Sequence, residues 1–126
     1  MKHVRLAIMV LSSVAFCTGI SNSAKASSCD DEATSTMEME SCALSAFNVA
    51  DAELNLTNSD IESRTEPADR NRLHDTQRNW SDLRDRECKS RADSMQSGGT
   101  LLSLAYQICR VEMTEARVDE LRKDSN

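Results

Sequence analysis

Between residues 35 and 123 the apolar positions recur at intervals of three, four and seven, and two short breaks divide them into three stretches. Met39, Ala43, Ala46, Phe47, Ala50, Leu54 and Ile61 mark one face of a first helix. Ser35 with Glu38 has the form of a capping box, in which each side chain satisfies a backbone N–H at the helix start. The stripe has a gap at Asn58, where a large side chain is expected. The run ends near "SRTEPAD", and Pro67 suits the first turn of a second helix because its ring pre-sets φ and its missing N–H is not needed there.

In the second stretch Leu73, Gln77, Trp80, Leu83 or Arg84, Cys88, Ala92 and Met95 follow helical spacing. Asp75, Arg78, Asp82, Asp85 and Arg86 fall largely elsewhere. Trp80 therefore belongs to a narrow buried stripe with charges solvated around it. "QSGGT", Gln96 to Thr100, is the second break, where Gly98 and Gly99 allow the positive φ values that reverse a chain. A third helix spans about Leu101 to Lys123. Leu102, Ala105, Cys109, Met113 and Ala116 share one line of it, and Tyr106, Thr114, Arg117 and Leu121 an adjacent one. Sustained period-two alternation is missing and β-branched residues are few, so no strand competes.

Ahead of these stretches the N-terminus reads as a secretory signal. Lys2 and Arg5 precede an apolar run from Leu6 to Ile20, and Ala24-Lys25-Ala26 offers a small-x-small cleavage site. The run has fifteen residues, short of the roughly 20 that a spanning helix needs. Lipidation at Cys17 is disfavoured, because Phe16 stands where a lipoprotein signal wants a small residue. The expectation is a cleaved segment 1–26 and a single domain over 27–126, periplasmic or secreted, with no membrane span. That domain carries 12 basic against 21 acidic residues, a net charge of −9. Such a surface repels nucleic acid and attracts cationic partners.

After residue 26 only Phe47, Trp80 and Tyr106 are aromatic, and a small domain with so thin a core needs covalent help. Cys29, Cys42, Cys88 and Cys109 supply it as two disulfides in an oxidising compartment. Zinc is the competitor, but no CxxC pair exists. Cys88 lies ten residues before Gly98 and Cys109 ten after Gly99. In an antiparallel hairpin turning at the glycines the two stand at one height, as a disulfide requires. Cys29–Cys42 is then the second pair, with residues 29–34 folding back along the first helix; the two other connectivities stay open. The fold class is all-α: a small three-helix antiparallel bundle, or a helical hairpin plus an N-terminal helix, stapled by two disulfides.

Leu54-Asn55, "QRNWSDLRDREC", "GGT" and "CRVEMTEARVDEL", taken in order, resemble the LprI-like lysozyme-inhibitor domain family over Cys29 to Leu121. Two positions depart from its pattern, which has aromatics where this chain has Asn58 and Leu83. The resemblance implies a small exported helical bacterial domain, and singles out Gln77, Trp80, Arg84, Asp85, Thr114 and Arg117 as motif residues. Their structural reading is packing, with Arg84 reaching carboxylates or carbonyls on a neighbouring helix. Their functional reading is that the two arginines recognise an acidic group.

No catalytic constellation emerges. His74 is the only histidine after residue 26 and no nucleophile motif surrounds it. "CDDE", Cys29 to Glu32, lacks the spacing and glycine of a calcium loop. The reading is a non-enzymatic protein without cofactor or metal. The resemblance and the charge together point to binding and inhibition of lysozyme, a basic protein partner. The candidate contact is the loop Ser97, Gly98, Gly99 and Thr100, with the 63–67 turn second. The alternative is a non-inhibitory adaptor or stress-stability protein of the cell envelope.

Overall fold

A computed structural model describes residues 35–95 and 98–125. They form three helices: α1 (Thr36–Arg64), α2 (Pro67–Ser94) and α3 (Thr100–Asp124), with no strand among the described residues. The all-α reading holds, and each helix begins or ends where local chemistry placed it. Ser35 caps α1: its N–H donates to Glu38 Oε2 at 2.9 Å, and the Glu38 N–H donates to Ser35 Oγ at 3.3 Å. Pro67 opens α2. Thr65 and Glu66 alone separate α1 from α2, and Arg70 Nε donates to the Thr65 carbonyl at 3.2 Å, holding the turn. Gly99 stands before α3 at φ 65°, a conformation that costs a side-chain-bearing residue 1 kcal/mol or more, on the order of the left-handed penalty.

The helices run up, down and up. α1 and α3 are parallel: Glu40 meets Ser103, Glu53 meets Arg122, and Arg64 meets the carbonyl of Ser125. α3 is the shared partner, packing along both α1 and α2, whereas the backbones of α1 and α2 barely approach one another. The core is correspondingly thin. Leu54, Val118 and Leu121 form its centre, with Ile61 and Trp80 packed against them. Ala43, Phe47, Ala50, Cys88, Ala92, Cys109 and Val111 are buried along the helix seams.

The Cys88–Cys109 bridge joins α2 to α3 with Cα atoms 5.5 Å apart, well within the range a disulfide spans. Among the described residues it is the one bridge with both ends in view. Cys42 is also disulfide-bonded, but Cys29 lies outside the described residues, as do the segment 1–26 and the Cys17 site.

One sequence alternative is settled and two expectations are corrected. Of Leu83 and Arg84, the leucine is 49% exposed and the arginine 4%, so the charged residue takes the inner position. Met95 is 60% exposed at the end of α2, past the reach of the stripe that ends at Ala92. In α3, Ala116 is exposed while Val111 and Val118 are buried. The reason is the central place of α3: it buries an arc of roughly 200° from Cys109 round to Val111, at 100° per residue, twice the width of a one-sided stripe.

Candidate functional site

Arg84 is the junction of the three helices. Its Nε donates to Asp85 at 2.8 Å, and its Nη1 donates to Asp51 of α1 and to Thr114 Oγ1 of α3, each at 3.2 Å. Thr114 is fully buried. The guanidinium lies between two rings, 5.0 Å from the centroid of Phe47 and 5.3 Å from that of Trp80. A planar, delocalised cation can donate in its plane and stack on its faces at once, which a lysine ammonium cannot.

The same motif continues on either side. Arg110 lies 3.5 Å from the Phe47 centroid and 5.1 Å from that of Tyr106, and its Nε donates to Asp85 at 3.2 Å. Arg117 lies 5.7 Å from the Trp80 centroid and pairs with Glu120 at 2.8 Å. Read along the bundle, the order is Tyr106, Arg110, Phe47, Arg84, Trp80, Arg117: aromatics and arginines in alternation, drawn from all three helices. Every aromatic among the described residues is in it. Asp85 clamps two of the arginines from its half-exposed position, while Asp51 holds the central one.

Of the sequence-predicted motif residues, Trp80, Arg84, Asp85, Thr114 and Arg117 therefore come together. Arg84 is too deeply buried to meet a partner from solution, so its contacts are those of packing. Phe47, Asp51, Tyr106 and Arg110 are the members that sequence reasoning left out. A signal for them exists: Tyr106, Arg110 and Thr114 follow one another at i, i+4, as do Phe47 and Asp51, and Trp80 and Arg84.

Gln77 stands apart from the ladder. Both atoms of its side-chain amide are buried with no hydrogen-bond partner, and so is Asn58 Oδ1. These two residues line a cleft of about 240 Å³ between α1 and α2, with Asn55, Ser59, Glu62, Leu73 and His74 around it. The bulk expected at position 58 is thus replaced by open space. His74 pairs with Glu62 at 3.2 Å on its rim.

At the opposite end, Gly98, Gly99 and Thr100 are exposed, and Ser97 lies outside the described residues. Below this loop an apolar cleft of about 360 Å³ is lined by Met95, Leu101, Leu104, Ala105 and Ile108, with Arg91 and Glu112 at its edges. Among the described residues no three His, Cys, Asp or Glu side chains gather as a metal-ligand set, and no helix is long and apolar enough to cross a membrane.

Residues 29–121 match the family described as lysozyme inhibitor LprI. The chain belongs to the LprI lysozyme-inhibitor family. Neither the curated proteins nor the solved structures offer a match. The LprI match covers α1, α2 and α3 as far as Leu121, and every residue of the arginine–aromatic ladder lies within it.

Proposed function

We propose that this LprI-family protein binds lysozyme and inhibits it without itself being an enzyme. The match across residues 29–121 to a family described as lysozyme inhibitor carries the reading. Charge supports it. The whole chain carries a net −6, and the form cleaved after Ala26 a net −9, which steers a basic partner towards it. The same reading takes residues 1–26 as a removed export signal, places the domain in the periplasm or outside the cell, and pairs Cys29 with Cys42 there.

Lysozyme cleaves glycosidic bonds with two carboxyl groups in a cleft, so a protruding loop rich in N–H and hydroxyl donors is a suitable plug. The candidate is the stretch Ser97 to Thr100, of which Gly98, Gly99 and Thr100 are exposed between two helices joined by Cys88–Cys109.

Titration of the purified protein into a lysozyme turbidity assay tests the reading. The expected result is stoichiometric inhibition, reduced when Ser97 and Thr100 are both changed to Ala. Absence of inhibition by folded protein in large molar excess removes lysozyme as the target. The non-inhibitory envelope adaptor would then lead, with the apolar cleft under the loop as the surface to map.

A further inference from the structure

The middle of α1 keeps its charges off its outer face, unlike an ordinary surface helix. Amphipathic helices direct charge to solvent and apolar side chains to the core. Between Met39 and Ser59, α1 has three charged residues, and all three reach sideways to neighbouring helices: Glu40 to Ser103, Asp51 to Arg84, and Glu53 to Arg122. Over the same span the helix has nine exposed positions, and none carries a charge. α2 is the contrast, exposing Arg72, Asp75, Arg78, Asp82, Arg86 and Lys89. A charge-free strip five turns long, in a chain that is 29% charged, packs against neither of the other two helices among the described residues.

The strip has a register of its own. Ser45, Val49, Ala52, Leu56, Ser59 and Ser63 are all exposed and follow alternating steps of four and three, the 3.5-residue period of a coiled-coil seam. Val49 is 51% exposed and Leu56 73%, large apolar side chains in water with small residues between them. Two antiparallel copies of such a seam bring each large residue opposite a small one, Val49 and Leu56 resting on Ser or Ala of the other helix, so that the layers interdigitate. Parallel copies would set large on large and small on small. The pattern is self-complementary about a two-fold axis, as an isologous interface demands.

We infer that this face of α1 is the contact through which two copies of the chain associate, antiparallel helix against helix. Charge selects the occupant. Two molecules of net charge −6 repel at most orientations, whereas on this strip they meet with no like charges opposed. A basic partner would gain nothing there, since the strip offers it no anion. From Ser41 to Ser59 the strip is about 27 Å long, and a helix pair of that length buries roughly 1,000 Å² in total, the lower bound for a specific interface. An interface at that lower bound belongs to a reversible dimer. It requires no lysozyme.

Sedimentation equilibrium of protein purified from a host expressing the full chain, at about 1 to 300 µM, tests the inference. The expected result is a monomer–dimer equilibrium whose dissociation constant rises at least tenfold in Leu56→Glu, with the far-UV circular dichroism unchanged. A short bis-maleimide should join two copies of Ala52→Cys at concentrations where it leaves Arg86→Cys, on the charged face of α2, unjoined. A monomer throughout the range overturns it. So does a dimer indifferent to Leu56→Glu, or equal cross-linking at both positions.

Discussion

Arg84 and Leu83 are adjacent in sequence and exchanged in role. Arg84 is enclosed by Phe47, Trp80, Thr114 and two carboxylates, whereas Leu83 faces water. Arg84→Ala removes the donor to Asp51 and Asp85 and the plate between two rings, losing packing as well as charge. The two carboxylates are half-exposed and regain water, which holds the cost to about 2–3 kcal/mol, below that of a fully buried pair. Leu83→Ala should change stability by about 0.5 kcal/mol or less. Urea unfolding of the two variants measures the difference, and equal losses would show that the ladder is not what holds the helices. Helical period alone could not choose between neighbours, and the usual preference for burying leucine favours the wrong one. The deciding partner, Asp51, lies 33 residues away.

At the level of elements, features set by a few adjacent residues were legible. Ser35 with Glu38, Pro67 and Gly99 delimit the helices because capping and φ constraints act within a turn. The Cys88–Cys109 pair followed from counting outwards from a turn. The buried arc of α3 was less legible, since Val111 and Val118 become interior only when α1 docks on the far side from α2. Asn58 and Gln77 could be seen as departures or motif members, but the cleft they share requires both helices in place. The disulfide gives the element-scale prediction. Its ends are 21 residues apart, so opening it by Cys88→Ser with Cys109→Ser should cost about 3 kcal/mol by loop entropy. Thermal unfolding under otherwise equal conditions measures it, and an unchanged transition would assign the clamp to some other interaction.

For the whole molecule, the separation of charge is the ruling feature: acidic overall, mixed-charge on α2, uncharged on the outer face of α1 between Met39 and Ser59. Two associations with opposite salt responses follow. Capture of a basic lysozyme should slow as ionic strength rises from about 0.01 to 0.15 M, because the screening length falls from about 30 to about 8 Å. Self-association through α1 should hold steady or strengthen over the same range, as residual like-charge repulsion is screened. Stopped-flow binding and sedimentation in matched buffers check the pair, and parallel salt responses would mean that one surface serves both. The arrangement of α1 beside α3 also bears on how the chain reaches its native state. The α2–α3 hairpin can zip from its glycine turn through local contacts, but Glu40 must wait for Ser103, 63 positions later. Contacts of that separation close late because a long loop must first be ordered. In a chain delivered from its N-terminus, the first helix to emerge is thus the last to dock.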